Sequence, residues 1–520
     1  MPHPSVTAET YPHKPAFIMG RTGEMVTFRQ LDERSNQGAQ LFRSLGLKAG
    51  DHIGWMIENS PRFPEILWAA QRAGLIFTPI STHLKKDETA YILENCGAKV
   101  FIGSLALAEV AEELVADAPG VEHFYMVGGI KPGFESWEEA IDAMPAERIA
   151  DEANGMPMLY SSGTTGKPKG VYQAPPDLDV NTPPLLVNTL GAAFGFGEET
   201  VYLSPAPLYH AAPLHYTMMT VYNGGTTIIM EKFDPELALK LIEEHRVTHS
   251  QWVPIMFIRM LKLPEDVRSA YDVSSMQVAI HAAAPCPVHV KEQMIDWWGE
   301  VIVEYYAASE GIGVTIIDSA NWLTHKGSVG PAIGAELHVL DDDGNELPTG
   351  EIGTIYFSSE GPRFEYHGEP EKTAEAYNDR GWGTTGDVGY VDEDGFLYLT
   401  DRKNFTIISG GVNIYPQEIE NILVGHDKVA DVAVFGIPHE EFGEAVQAVV
   451  EPINWADATD ETAIEIMEWL RDKISHIKLP RSLHFREKLP RMDNGKLYKR
   501  HLVEEYRAGA RADEGPGPGN

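Results

Sequence analysis

Between residues 52 and 102, short apolar runs alternate with segments of helical spacing, and no other feature narrows the fold as much. His52-Ile-Gly-Trp-Met-Ile57 reads as a strand, Phe63 to Gly74 as a helix, and Leu75-Ile-Phe-Thr-Pro-Ile80 as a second strand. Asp87 to Cys96 follows as a helix and Lys99-Val-Phe-Ile102 as a third strand. Strands joined through helices pair in parallel, and the helices cover both faces of the sheet. Upstream, Leu31, Ala39, Leu41, Phe42 and Leu45 recur at near-helical spacing between Val26 and Gly46. The alternation resumes with Val201–Ser204, Thr226–Met230, a helix over Pro235–His245, Val278–Ile280, a helix over Val288–Trp298, and Val301–Tyr306. We read two doubly wound sheet layers.

From Gly327 the character changes. Glu336–Leu340, Gly353–Phe357 and Gly395–Thr400 are short β segments separated by D-D-D-G-N and D-E-D-G turns, which predicts an antiparallel sheet or small barrel. After Asp401 a compact α+β unit is expected: helices over Pro416–Val424 and Glu461–Ile474, strands over Val429–Ile437 and Ala445–Pro452. The fold class is α/β: two doubly wound subdomains and a small β-barrel in a large N-terminal domain, then a small mobile α+β domain. The expected boundaries are 1–402, with a β-rich part at about 327–401, then 403–507, and a disordered tail at 508–520 rich in Gly and Pro. A chain of 520 residues has room for about three cores.

The formal charge is −36, which argues against nucleic acid and anionic membranes as partners. One segment runs the other way: Arg471 to Arg500 holds ten Lys and Arg against three acids, as expected for a surface that meets an anion. Two cysteines, Cys96 and Cys286, are too few for a disulfide framework or a Cys-based zinc site. Cys286, between two prolines, reads as a small structural thiol rather than a nucleophile. No apolar run is long enough for a membrane span, and no secretory signal is recognisable, so the cytoplasm is the expected location.

The chemistry is concentrated at Tyr160-Ser-Ser-Gly-Thr-Thr-Gly-Lys-Pro-Lys-Gly170. Met156–Tyr160 before it reads as a strand end. Successive backbone N–H groups in such a loop converge on an anion, hydroxyls add donors and lysines add charge, so a phosphate is the natural ligand. The common phosphate loop G-x-x-x-x-G-K-[ST] does not fit, because Gly163 and Gly166 stand too close together and Pro168 follows Lys167.

This loop resembles the signature of the adenylate-forming superfamily, which holds acyl-CoA synthetases, peptide-synthetase adenylation domains and firefly luciferases. Further matches follow in order from about Val26 to Arg500. The resemblance implies that Ser161, Ser162, Gly163, Thr164, Thr165, Gly166, Lys167 and Lys169 bind the phosphates of ATP. Tyr305-Tyr306-Ala307-Ala308-Ser309-Glu310-Gly311 resembles Y-G-x-T-E. It assigns Tyr306 to adenine, Ser309 to the α-phosphate and Glu310 to Mg²⁺, a role that suits a hard carboxylate beside phosphates. Ser309 stands where the family has Thr, and Ala307 where it has Gly.

His281-Ala-Ala-Ala284-Pro285 is similar to the adenine-side turn and implies Ala283 and Ala284 there. Pro207-Leu-Tyr-His210 resembles the aromatic–His motif near the acyl carboxylate, and Trp252-Val-Pro254 a strand beside it. Gly381-Trp-Gly-Thr-Thr-Gly-Asp387 resembles W-x-x-T-G-D, whose aspartate, here Asp387, holds the ribose diol. Asp401-Arg402 resembles the D-R that grips ribose and phosphate, with Asn404 at the hinge where the family has Asp or Lys. Ile408–Ile414, with Gly410 and Gly411, resembles the pantetheine path of CoA ligases. Gly436 to Glu444 matches G-x-P-D-x-x-W-G-E with His439 for Asp and Phe442 for Trp, which implies Phe442 near CoA. Leu489 to Lys496 resembles P-R-T-x-x-G-K, whose lysine, Lys496, serves adenylation.

The implied enzyme is an AMP-forming acyl-CoA synthetase with Mg²⁺ as cofactor and a small-molecule carboxylic acid, ATP and CoA as partners; a homodimer is admitted. His210, Glu310 and Lys496 are the implied catalytic residues. Tyr209, His215, Trp252, Met256, Tyr306 and Ala307 suggest an apolar acyl pocket suited to a fatty, aromatic or alicyclic acid. The alternatives are an acyl-AMP ligase loading a carrier protein and an inactive nucleotide-binding homologue. An amino-acid adenylation module is disfavoured because Val201–Met230 has no Asp or Glu to hold a substrate ammonium.

Overall fold

The computed structural model describes residues 3–161, 168–173, 180–182, 185–359, 363–402, 405–409, 412–439, 442–491 and 497–507. The chain divides into two units. The first comprises Met1–Trp252, Lys262–Ile280 and Gly361–Glu375, and the second Val253–Leu261, His281–Glu360 and Ala376–Asn520.

In the first unit the chain runs β1 (Pro15–Met19), β2 (Met25–Thr27), α1 (Phe28–Ser44), β3 (His52–Met56), α2 (Arg62–Arg72), β4 (Ile76–Pro79), α3 (Lys86–Cys96), β5 (Ala98–Ser104), β6 (His123–Val127) and β7 (Glu135–Ser136). It continues through β8 (Met156–Pro157), β9 (Leu159–Ser161), β10 (Lys169–Tyr172), β11 (Val201–Ser204), α4 (Ala211–Tyr222), β12 (Thr226–Ile229), α5 (Pro235–His245) and β13 (His249–Trp252). One sheet has the order β7-β6-β5-β3-β4-β8 and is parallel throughout. A second carries β13-β11-β12-β1 in parallel, with β2 antiparallel to β1.

Parallel strands covered on both faces need apolar residues on both, and β4 is buried at every position. Trp55 stacks on Phe77 at 5.4 Å and meets Phe63 edge-on at 5.5 Å. α1 starts where Thr27 closes a capping box with Gln30, and it buries Leu31, Ala39, Leu41 and Phe42, the apolar positions of the sequence pattern. α5 begins at Asp234, whose carboxylate accepts the Leu237 N–H at 2.8 Å, with Pro235 at the first helical position.

The expected strand end at Met156–Tyr160 divides in two. β8 pairs with β4 in the six-stranded sheet. β9 instead joins a three-stranded sheet with β10 and Glu365–Tyr366.

In the second unit, Ile302–Ala307 pairs antiparallel with Val314–Ile317, which pairs with Ala332–Ile333. A four-stranded antiparallel sheet follows in the order Glu336–Leu340, Gly353–Ser358, Asp387–Val391, Leu397–Arg402. The end of the unit is a five-stranded sheet built on the long hairpin of Val429–His439 and Gly443–Pro452, with helices Pro416–Leu423, Asp460–Arg471 and Lys499–Arg507. The helix expected to reach Ile474 stops at Arg471, where the Lys473 N–H turns back to the Leu470 carbonyl at 2.9 Å. Residues 508–520 lie outside the described residues.

Candidate active site

In the first unit, β9 and β10 form an antiparallel ladder in which Ser161 faces Lys169 and Tyr160 faces Gly170. The Tyr160 ring lies where a Cβ on Gly170 would be, 2.9 Å from its nearest atom, so Gly170 is required by close approach. Lys169 holds its ammonium over the Tyr366 ring at 4.6 Å. Ser162, Gly163, Thr164, Thr165, Gly166 and Lys167 lie outside the described residues, as does the Ser161 side chain.

The second candidate of this unit is the loop between β11 and α4. His210 occupies the N-cap position of α4, and its ring lies 4.5 Å from that of Tyr209. Further along α4, burial pushes the His215 imidazole down to about 4, so it is neutral at physiological pH. Trp252 is fully buried and donates its indole N–H to Ser250 Oγ at 2.5 Å.

In the second unit the structure brings two of the predicted residues together. The Tyr306 hydroxyl donates to Asp387 Oδ2 at 2.6 Å, and the Thr385 hydroxyl donates to the same oxygen at 2.7 Å. The turn that presents Asp387 needs a left-handed glycine, Gly386 at φ +78°. Thr384 anchors it, donating to the Ile355 carbonyl at 2.7 Å and accepting from the Gly386 N–H at 3.0 Å. Asp387 then begins a strand in which it stands opposite Arg402. The Arg402 side chain lies outside the described residues.

Ser309 is exposed, and Glu310 beside it is buried, after the strand Ile302–Ala307. Ala283 is exposed with φ +74°, an uncommon conformation for a residue with a Cβ, and Ala284 follows it. Of the remaining pocket residues, Met256 is buried on the helix Pro254–Leu261 and Ala307 is exposed.

The second unit also holds a buried charged cluster that the sequence did not reveal. Lys291 Nζ meets Glu304 Oε2 at 2.7 Å and lies 4.8 Å from the Trp322 ring centroid, while His281 Nε2 stands 3.6 Å from the same carboxylate oxygen. Lys291 and His281 are fully buried. Burial, then the Lys291 charge, holds the His281 imidazole well below its usual range, so it is neutral. Burial pushes the Glu304 carboxyl upward, against the opposing pull of Lys291. Burial pushes the Cys286 thiol up as well, which disfavours its thiolate form. The cluster ties the helix Val288–Trp298 to the strand Ile302–Ala307. Its only sequence signal is a Lys and a Glu on apolar faces.

Toward the C-terminus, the Phe442 ring lies 4.9 Å from that of His439 in a tilted arrangement and sits under the Arg481 guanidinium at 4.6 Å. Glu444 explains the G…G-E spacing. Its carboxylate fills the space a Gly436 side chain would need and accepts the Ile408 N–H at 3.0 Å, fixing the strand Ile407–Ser409. Arg491 forms a bidentate pair with the buried Asp431, bridges to Leu497, and is followed by Tyr498 N–H donating to the Pro490 carbonyl at 2.8 Å. The two ends of the segment that contains Lys496 are thereby held together. Lys496, Asn404, Gly410 and Gly411 lie outside the described residues.

Doubly wound sheets with an antiparallel subdomain and an α+β end unit, carrying a hydroxyl- and lysine-rich loop, define an adenylate-forming enzyme. The sequence profile of the AMP-binding enzymes matches residues 5–365, and that of the AMP-binding enzyme C-terminal domain matches residues 418–496. The chain is similar to a feruloyl-CoA synthase from Amycolatopsis, at 34% identity over 96% of this chain and 97% of that one. It is 32% identical to the long-chain-fatty-acid–CoA ligase FadD13 of Mycobacterium tuberculosis, over 96% of this chain and 97% of the relative. The fold resembles that of the anthranilate CoA ligase AuaEII in complex with anthranoyl-AMP, with a TM-score of 0.84, 24% identity, and coverage of 98% of both chains. The chain belongs to the AMP-binding enzyme family, and within it to the AMP-forming carboxylate–CoA ligases.

Proposed function

We propose that the acid this ligase activates is an apolar one, a hydroxycinnamate-type aromatic acid, with long-chain fatty acids as the second reading. The reaction class is that of the family. A carboxylate oxygen attacks the α-phosphorus of ATP and pyrophosphate leaves, giving an acyl adenylate. The CoA thiol then attacks the acyl carbon and AMP leaves. The full-length similarity to a feruloyl-CoA synthase carries the aromatic reading. Neutral His215 and the apolar residues Tyr209, Trp252 and Met256 support an uncharged acyl group. FadD13, also matched along its length, supports the fatty-acid reading.

In this reading the 161–169 loop holds the ATP phosphates, Ala283, Ala284 and Tyr306 the adenine, Asp387 and Arg402 the ribose, and Ser309 the α-phosphate. Tyr306 and Thr385 orient the Asp387 carboxylate toward the diol. Among the described residues there is no group of three or more His, Cys, Asp or Glu that could hold a metal. Glu310 would hold Mg²⁺ through one hard carboxylate oxygen, beside the nucleotide phosphates. When bound, the ion would supply neutralisation of phosphate charge. His210 orients the acid, and Lys496 stabilises charge between carboxylate and phosphate.

The working division is 1–402, with its β-rich part at 327–401, and 403–507. Asn404 serves as the hinge, and Gly410, Gly411 and Phe442 line the CoA path. Among the described residues no helix is long and apolar enough to cross a membrane. We place the enzyme in the cytoplasm, and sedimentation separates a monomer from a homodimer.

The experiment is a panel of ferulate, benzoate, acetate and C8 to C18 fatty acids with MgATP, read as pyrophosphate and acyl-CoA. Ferulate as the best substrate supports the first reading and a long-chain acid the second. Acetate as the best substrate contradicts both.

A further inference from the structure

We propose that Asn59 is a positioning residue that fixes the Ala206–His210 loop and so sets how the enzyme takes up its carboxylic acid. The inference rests on the reading of His210 as the residue beside the acyl carboxylate. Asn59 lies just beyond β3 and is 7% exposed. Its Nδ2 donates to the Ala206 carbonyl at 3.1 Å and to the Met230 carbonyl at 2.8 Å, and its Oδ1 accepts the Leu208 N–H at 2.9 Å. A backbone N–H can only donate and a carbonyl can only accept, so this set admits one orientation of the amide.

The three partners are informative. Ala206 and Leu208 flank Pro207 in the loop after β11, and Met230 directly follows β12. Pro205 and Pro207 have no N–H, so the loop has few donors with which to hold itself. The chain then turns, with the His210 N–H donating to the Pro207 carbonyl at 3.2 Å, and His210 caps α4. One side chain from the six-stranded sheet therefore fastens the loop of the other sheet, two residues before His210. Serine or threonine could supply a donor and an acceptor here, but not two donated bonds and one accepted in one plane.

Asn59→Ala leaves the Leu208 N–H and two carbonyls without their partner, in a buried place. We expect the KM for the best carboxylic acid to rise about tenfold or more while the KM values for ATP and CoA stay within about twofold, a tenfold change being the effect of roughly one lost hydrogen bond. Asn59→Asp keeps the acceptor and turns the donor into an oxygen facing two carbonyls. Protonation restores one donor, so its kcat/KM for the acid should climb relative to wild type as pH falls from about 8 to about 6. A purely structural loss would move all three KM values or none and show no such recovery.

Hydrogen exchange gives a readout that needs neither activity nor a stable variant: in the wild-type enzyme the Leu208 amide should be protected although it lies in a loop. An acid KM within about twofold of wild type in folded Asn59→Ala overturns the inference. A freely exchanging Leu208 in wild type overturns it as well. If the wild-type enzyme makes no acyl-CoA from any acid, the functional reading fails, and the exchange of Leu208 still decides whether Asn59 clamps the loop.

Discussion

Two buried polar junctions solve the same problem in different ways. In the first unit, Asn59 joins β3 to the loop before His210 through three neutral hydrogen bonds. In the second, Lys291, Glu304 and His281 join Val288–Trp298 to the strand Ile302–Ala307 through an ion pair, with a neutral imidazole at its side. The amide carries no charge to desolvate, and each of its three contacts goes to a backbone group. The ion pair has two charges to desolvate, and each depends on the other. A loop that must stay in register is held by the first kind of junction. The helix Val288–Trp298 is held by the second, which is intolerant of losing one partner.

The largest effect is expected at Lys291. Lys291→Met leaves a buried carboxylate without its cation and should destabilise the enzyme by roughly 3–5 kcal/mol, measured by urea unfolding. Adding Glu304→Leu should return most of that loss. A double variant no more stable than the single one would show that the pair is not the relevant unit. Asn59→Ala, in the same assay, should cost about 1–3 kcal/mol, less than the charged junction.

Tyr306→Phe removes one of two hydroxyls that hold Asp387. We expect about 1 kcal/mol of lost ATP binding, seen as a roughly fivefold rise in the KM for ATP with the acid KM unchanged.

His215 sharpens the contrast through pH. Its folded value of about 4 lies below that of an unfolded histidine, so between about 4 and 6.5 the unfolded chain binds a proton that the folded one does not. Stability is complete above that window and is lost as pH falls through it. His215→Phe should flatten this part of the melting temperature–pH curve, and an unchanged slope would remove His215 from the account. The smallest effect is expected at Ala283, where Ala283→Gly relieves a left-handed backbone and adds unfolded-state freedom. The two nearly cancel, within about 1 kcal/mol in thermal melts.

The parallel sheets were legible because strands buried on both faces read as apolar runs, and His52–Met56, Ile76–Pro79 and Ala98–Ser104 stand within two residues of their sequence readings. Motif order found Tyr306 and Asp387 separately. Their direct hydrogen bond was not legible, because it spans 81 positions and depends on the Gly386 turn. Asn59 was missed for a related reason: its partners are backbone groups 147 to 171 residues away, and backbone groups leave no trace in composition. Lys291 and Glu304 were read as ordinary members of a helix and a strand, because nothing in the spacing says that both point inward. The split of Met156–Ser161 between two sheets likewise depends on partners distant in sequence.

We propose that this chain couples an apolar carboxylic acid to CoA through an acyl adenylate. The most direct test is a single incubation of the enzyme with MgATP and ferulate, without and then with CoA, following pyrophosphate, AMP and thioester together. We expect a burst of pyrophosphate with retained feruloyl-AMP in the absence of CoA, and equal amounts of pyrophosphate, AMP and feruloyl-CoA once CoA is present. Release of ADP and phosphate, or adenylate that CoA does not consume while a carrier protein does, would contradict it.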